Sequence, residues 1–130
     1  MNPLMLQDIW YFGISSKDLI PGQIAHREIC GVPIAFGRLS SGGAFALHDI
    51  CPHRGVPLSE GRITGTQVEC CYHGWTFGTD GRCISIPALG ENDNVDLTKI
   101  MVRVFPIRES QGIIWIWVGE GDGADVPTPV

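Results

Sequence analysis

Two short clusters along the chain each contain cysteine and histidine. The first holds Cys51 and His53, and the second holds His73 together with either Cys70 or Cys71. Thiolate sulfur and neutral imidazole nitrogen are the protein ligands of zinc ions and of some iron–sulfur clusters. The residues therefore predict a metal centre that is built from two separate loops.

The spacing of these residues distinguishes a zinc site from an iron–sulfur cluster. A zinc finger usually places two cysteines at one knuckle and two histidines at the other. Here each knuckle is mixed, which suits a two-iron cluster because each loop can give its cysteine to one iron and its histidine to the other. On this interpretation Cys51 and Cys70 share one iron, while the two histidines share the second. Cys71 remains an alternative to Cys70, because Cys71 and His73 repeat the spacing of the first cluster.

Longer runs around both clusters resemble the Rieske family, whose pattern is Cys-x-His followed by Cys-x-x-His. Residues 51–61 (CPHRGVPLSEG) and 73–77 (HGWTF) are similar to the Rieske domain of ring-hydroxylating oxygenases. The resemblance implies one Rieske-type 2Fe-2S cluster, and its spacing favours Cys70 over Cys71 as the third ligand. Where the family usually has proline after that ligand, this chain has Cys71. The implied ligands are Cys51, His53, Cys70 and His73.

The resemblance also bears on the reduction potential of the cluster. Imidazole ligands remove negative charge, and Rieske centres therefore span roughly −150 to +300 mV. High-potential respiratory members have hydroxyl donors near the cluster where this chain has Trp75 and Phe77, and a disulfide where it has Val56 and Tyr72. We therefore expect a potential near the low end of this range.

The rest of the sequence favours an all-β domain. Its 17 glycines and nine prolines oppose long helices, and short apolar or alternating runs predict strands. Asp80 and Gly81 form the clearest hairpin turn, and a helical turn is expected near residues 16–19. The predicted strands cover residues 10–14, 23–29, 32–39, 45–48, 102–107 and 113–118.

The resemblance implies how this domain is organised. Residues 1–119 are expected to form a Rieske fold of stacked antiparallel sheets, with a small cluster-binding subdomain at about residues 50–86. Residues 120–130 lose apolar periodicity and gain glycine, acid and proline, so they are expected to be a linker or tail. In the oxygenases a catalytic domain follows at this point.

That catalytic domain would carry a mononuclear Fe(II), which needs two histidines and a carboxylate. Of the four histidines, only His26 and His48 remain once the cluster is assigned. His26 lies in an alternating run and is expected to be a surface strand residue. We therefore expect no oxygen-activating iron site within these 130 residues, and enzymatic activity only as part of a longer chain.

Charge and the N-terminal sequence narrow the partners and the location. The net charge of −5 opposes nucleic-acid binding, which needs a basic surface. Residues 1–10 have neither a basic start nor a continuous apolar stretch, so a cytoplasmic protein without a membrane span is expected. Cys30, Cys71 and Cys83 are expected to be reduced.

Two functions fit these expectations. The favoured one is the electron-accepting domain of a Rieske non-haem iron oxygenase, which receives electrons from a reductase or ferredoxin. It would pass them to the oxygenase catalytic domain of its own or a neighbouring subunit. The alternative is a freestanding Rieske ferredoxin that is not itself an enzyme. The tail and the pairs Arg54-Gly55 and Gly74-Trp75 favour the oxygenase.

Overall fold

The residues that the structure describes form ten strands in three antiparallel sheets, which confirms the all-β prediction. The computed structural model describes residues 8–52, 55–71, 74–86 and 96–129. In this part of the chain no helix is long and apolar enough to cross a membrane. The strands are β1 (Ile9–Ser15), β2 (Ile24–Ile29), β3 (Val32–Arg38), β4 (Ala44–His48), β5 (Arg62–Thr64), β6 (Gln67–Glu69), β7 (Thr76–Gly78), β8 (Cys83–Ser85), β9 (Ile107–Ser110) and β10 (Ile113–Val118).

The three sheets are joined by two apolar cores. The first sheet has the order β1-β10-β9, the second β2-β3-β4 and the third β5-β6-β7-β8. Side chains alternate along a strand, and β4 uses this alternation to supply both cores. Its Ala46 packs with Phe36 and Ile114 of the core shared with the first sheet. Its Phe45 and Leu47 belong instead to the core shared with the third sheet.

The core between the second and third sheets is the one that contains the cysteines of the predicted metal centre. Cys51 and Cys70 lie in it beside Leu58, Val68 and Phe77, each of which is buried. The third sheet, β5 to β8, falls within the predicted cluster-binding subdomain of residues 50–86.

The prediction of a continuous strand over residues 102–107 is wrong. Only Ile107 belongs to a strand, β9, while Met101 and Val104 form isolated bridges to Arg82 and Leu47. The backbone of this segment forms hydrogen bonds with two different parts of the chain. The Val102 N–H donates to the Gly81 carbonyl, and the Arg103 carbonyl accepts from the His48 N–H. A regular ladder needs one partner strand, so this segment instead ties the second sheet to the third.

The first described residue and the end of β10 lie side by side. The Asp8 N–H donates to the Val118 carbonyl at 2.6 Å, and the Asp8 carboxylate accepts from the Glu120 N–H at 3.2 Å. β1 and β10 then run antiparallel from this point, starting with the pair Ile9 and Val118.

Residues 120–126 fold back onto a cluster of three buried tryptophans, Trp10, Trp115 and Trp117. The Trp10 indole N–H donates to the Val126 carbonyl at 2.8 Å, and the Trp117 indole N–H donates to the Glu120 carbonyl at 3.0 Å. The Arg108 guanidinium lies 4.5 Å from the Trp10 ring centre and also donates to the Val126 carbonyl. The predicted tail is thus attached to the domain over these residues.

Candidate metal centre

The segment that contains Cys51, named the first ligand loop after its predicted ligands, connects β4 to a short 3₁₀ turn, Leu58–Glu60. Cys51 is completely buried, and its N–H donates to the Val56 carbonyl at 2.7 Å. The Cys51 carbonyl in turn accepts from the Gly55 N–H at 2.8 Å. Gly55 has a φ of +72°, a left-handed conformation that glycine adopts without strain. The loop therefore returns on itself and presents the Cys51 side chain to the core.

The second ligand loop is the connection of the β6–β7 hairpin. Glu69 and Thr76 pair across the hairpin and close residues 70–75 between them. Cys70 is 1% exposed, and its N–H donates to the Trp75 carbonyl at 2.7 Å. Gly74 has a φ of +69°. The loop is held by backbone hydrogen bonds of the sheet on both sides.

The two loops have the same local geometry, and this bears on the choice between Cys70 and Cys71. In each, a buried cysteine donates its N–H to the carbonyl five residues on, and a left-handed glycine lies four residues on. Cys70 is therefore the structural counterpart of Cys51, whereas Cys71 is exposed. The pKa of the Cys71 thiol is raised by desolvation, and then by the charges of Cys70 and Glu60.

The histidines expected to complete the ligand set, His53 and His73, lie outside the described residues, as do Arg54 and Tyr72. The first loop precedes the third sheet in the chain, whereas the second loop connects two of its strands. Of the other two histidines, His26 is in β2, as expected for a surface strand residue, and its side chain is 49% exposed. His48 ends β4.

The two loop regions approach each other closely at Gly61, which follows the 3₁₀ turn. A Cβ atom at this position would lie 1.9 Å from the Glu69 carbonyl oxygen and 3.2 Å from the Cys71 nitrogen. The end of the first loop region therefore packs directly on the start of the second. A cleft of about 310 Å³ opens beside this contact, lined by Glu60, Gly61, Arg62, Glu69, Cys70, Cys71 and Gly74.

A buried carboxylate also stands at the start of the first loop, and the sequence analysis did not single it out. Asp49 is the one charged residue buried in the described part of the chain, at 2% exposure. Its carboxylate accepts hydrogen bonds from the Ser59 N–H, the Ser59 hydroxyl and His26 Nδ1 at 2.7, 2.6 and 2.5 Å. An acidic residue two positions before Cys51 was the only sequence signal, and it gave no indication of burial.

The donor chemistry of the loops fits an iron–sulfur cluster. Cys51 and Cys70 are free cysteines, buried in one apolar core and on two different loops. Cysteine thiolates are the general ligands of such clusters, and apolar surroundings limit solvent access to them. The remaining cysteines differ: Cys83 is buried in the third sheet with the pKa of its thiol raised by desolvation, and Cys30 is exposed at a hairpin turn.

Comparisons with known proteins agree with this fit. Residues 9–106 match the Rieske 2Fe-2S domain family. The 4beta-methylsterol monooxygenase of Methylococcus capsulatus is 35% identical over 127 residues, which are 95% of this chain and 34% of that protein. The dicamba O-demethylase oxygenase component of Stenotrophomonas maltophilia is 34% identical over 120 residues, which are 92% of this chain and 34% of that protein.

A solved structure supports the same assignment. A crystal structure of dicamba monooxygenase superposes with a TM-score of 0.83 and 33% identity, over 95% of this chain and 39% of that one. The chain thus spans about a third of the length of the curated relatives described above.

Proposed function

Because this chain belongs to the Rieske 2Fe-2S domain family, we propose that it carries one 2Fe-2S cluster and transfers single electrons through it. Cys51 and Cys70 would bind one iron of this cluster, and His53 and His73 the other. The observation that carries the proposal is the pair of equivalent loops that present Cys51 and Cys70, both buried, to one core. When bound, the cluster supplies a site that takes up one electron and releases it again.

The protein's own residues have defined tasks in this function. The hydrogen bonds from the Cys51 N–H to the Val56 carbonyl and from the Cys70 N–H to the Trp75 carbonyl fix the backbone at the two cysteines. Preorganisation of this kind lowers the structural change that accompanies each electron transfer. Trp75, which is partly buried against the core, and Phe77, which is completely buried, offer no hydroxyl to stabilise the reduced cluster. We therefore expect a potential in the lower part of the Rieske range.

We further propose that the chain serves as the electron-accepting domain of a Rieske non-haem iron oxygenase. The support is its similarity to a monooxygenase and to an oxygenase component, each about three times as long. In that role it would take electrons from a reductase or ferredoxin and pass them to a catalytic domain with a mononuclear Fe(II). A cytoplasmic location belongs to the same proposal, as does the role of residues 120–130 as the connection to a catalytic domain, which they would fill with residues 120–126 packed on the tryptophans.

Two neighbouring cysteines provide a matched test of the ligand assignment. Cys70→Ser should abolish binding of the cluster, whereas Cys71→Ser should leave iron and acid-labile sulfide content unchanged, because Cys71 is exposed and corresponds to Pro52 of the first loop, which cannot be a ligand. The measurement is metal and sulfide content after reconstitution, together with the electron paramagnetic resonance spectrum of the reduced protein. Loss of the cluster from Cys71→Ser, with retention in Cys70→Ser, would contradict the assignment.

The size of the native polypeptide tests the oxygenase role. An antibody raised against this domain should detect, in the source cells, a band much heavier than 14.2 kDa. A band at 14.2 kDa would instead indicate a freestanding Rieske ferredoxin, and the electron-transfer proposal would then stand without the oxygenase.

A further inference from the structure

The two ligand loops are closed in different ways. The second loop lies inside a hairpin, so the strand pairs on either side fix its ends. The first loop begins after β4 and ends at the 3₁₀ turn Leu58–Glu60, which are not paired with each other as strands. The ends of the first loop are therefore held together by contacts other than strand pairing.

The Asp49 carboxylate makes such a contact between the two ends of the first loop. It lies just before Cys51 and accepts both the backbone N–H and the hydroxyl of Ser59, at 2.7 and 2.6 Å. These two bonds join positions ten residues apart and enclose the whole loop. The Asp49 N–H donates to the Pro33 carbonyl at 3.0 Å, so the carboxylate is itself anchored to β3.

The 3₁₀ turn that Asp49 holds through Ser59 also packs against the second ligand loop. Ser59 is two residues before Gly61, whose backbone packs so closely on Glu69 and Cys71 that a Cβ atom does not fit. Asp49 thus fixes the 3₁₀ turn to the second sheet, and the turn fixes the start of the second ligand loop. This chain of contacts runs from the residue two before Cys51 to Glu69 and Cys71, the residues on either side of Cys70.

His26 completes the environment of the carboxylate but does not make it a nucleophilic site. His26 Nδ1 and the Ser59 hydroxyl both bond to the same oxygen, Asp49 Oδ2. In a hydrolytic triad the histidine stands between the serine and the acid, whereas here the acid stands between the other two. A charge buried this deeply needs several hydrogen bonds, and His26 and Ser59 supply them.

We propose that Asp49 is a positioning residue for the cluster, which closes the first ligand loop through Ser59 and sets its distance from the second. This inference rests on the proposed function, since it assumes that Cys51 and Cys70 are ligands. It concerns residues that touch the ligand loops and not the cluster itself.

The test compares three variants with the reconstituted wild-type protein. Asp49→Ala removes every bond to Ser59, whereas Asp49→Asn keeps an oxygen that can accept from the Ser59 N–H. Glu109→Gln is the matched control, because it weakens an ion pair with Arg38 that lies elsewhere in the fold. The measurements are the rate of cluster loss to a chelator, the reduced-state electron paramagnetic resonance spectrum and the unfolding midpoint of the metal-free protein.

The expected result separates positioning from general stability. Asp49→Ala should lose its cluster at least about tenfold faster, the effect of removing one hydrogen bond to a charged group, and its spectrum should change. Asp49→Asn should recover most of the wild-type rate, and Glu109→Gln should keep both rate and spectrum. An Asp49→Ala protein with wild-type cluster loss and spectrum would overturn the inference, as would an Asn variant no better than the Ala variant.

A second variant, Ser59→Ala, tests the same inference if Asp49→Ala does not fold. Ser59→Ala removes the hydroxyl bond and keeps the N–H bond, so cluster loss should still be faster than in the wild-type protein. A wild-type rate in Ser59→Ala would then overturn the inference. A wild-type protein that takes up no cluster on reconstitution would instead contradict the proposed function, and the two failures are thus distinguishable.

Discussion

Cys30 occupies the first position of the two-residue turn between β2 and β3, with a φ of +51°, and Gly31 follows with a φ of +83°. Two positive φ angles define the turn that fits a tight hairpin, and asparagine or glycine favours the first position. A cysteine there has a Cβ that crowds the following carbonyl. The turn therefore stores strain at a residue exposed to solvent.

Replacing Cys30 with asparagine should relieve this strain. Cys30→Asn should raise the free energy of unfolding by about 0.5–1 kcal/mol, since asparagine tolerates the left-handed conformation. The measurement is the midpoint of urea unfolding. Cys30→Ser is the control, because it also removes the thiol but serine does not share asparagine's tolerance of the left-handed conformation. Equal midpoints for the two variants would show that backbone strain is not the cause.

Single residues were predicted from the sequence to the extent that their chemistry is distinctive. Cysteines and histidines at fixed spacing indicate a metal centre, but the choice of Cys70 over Cys71 came from the resemblance and is supported by burial in the structure. Asp49 went unnoticed because a buried aspartate and an exposed one look alike in a sequence. Its role depends on Ser59 and His26, which only the fold brings to it.

Long strands were predicted better than short ones. β1 to β4 and β10 contain at least five residues each, enough to display alternation. β5 to β8 have three residues each, too few for a period to appear, although the turn at Asp80 and Gly81 correctly indicated the β7–β8 hairpin. The segment 102–107 is apolar enough for a strand, but the Gly81 and His48 backbones share its hydrogen bonds.

The contact between the 3₁₀ turn and the second ligand loop depends on the absence of a side chain at Gly61. Gly61→Ala should push the turn away from the Glu69 carbonyl, destabilise the protein by about 1–3 kcal/mol, and reduce cluster binding. Iron content and thermal unfolding measure the two effects. Gly43→Ala is the control, because a Cβ at Gly43 would find only Leu39 Cδ1, at 4.0 Å; equal behaviour of the two variants would argue against the close contact.

The first and second sheets are also joined by an ion pair between Arg38 of β3 and Glu109 of β9. The guanidinium donates to both carboxylate oxygens and lowers the pKa of Glu109. A carboxyl with a lowered folded pKa stabilises above its unfolded pKa of about 4.3, and this contribution is lost as the pH falls through the folded value.

The effect of Glu109→Gln on stability should therefore depend on pH. The variant should be less stable than the wild-type protein by about 1 kcal/mol or less at pH 7, because the Glu109 side chain is 40% exposed. The difference should stay constant down to about pH 5 and shrink in more acidic solution. Urea unfolding at a series of pH values measures it, and a difference that grows on acidification would contradict the assignment.

At the scale of the whole molecule, the order of the layers could not be derived from composition or periodicity. Alternation shows that a strand has a buried face, but it does not say which sheet covers that face. The stacked arrangement was implied by the family resemblance, and β4 explains it physically, since Ala46 serves one core and Leu47 the other. Residues 120–130 were expected to be a linker or tail, and their composition gives no sign that residues 120–126 contact the tryptophans.

Arg108 holds these residues against the domain. Arg108→Ala removes a hydrogen bond to Val126 and the contact with the Trp10 ring, so stability should fall by about 1–2 kcal/mol. The Val126 amide, which now bonds to the Gly123 carbonyl, should exchange its hydrogen faster. Arg108→Lys is the control, because it keeps a cation over Trp10 but loses the forked guanidinium donor. Unchanged exchange of the Val126 amide in the alanine variant would show that the tryptophans alone hold residues 120–126 in place.

The meeting of Asp8 with Glu120 has a mechanical consequence. Force applied through these two residues would act across the β1–β10 ladder, starting at the pair Ile9 and Val118. Antiparallel hydrogen bonds run perpendicular to the strands, so such a load would open them one pair at a time. Single-molecule pulling from these two points should therefore unzip the domain at low force, whereas simultaneous rupture of the ladder at high force would contradict this geometry.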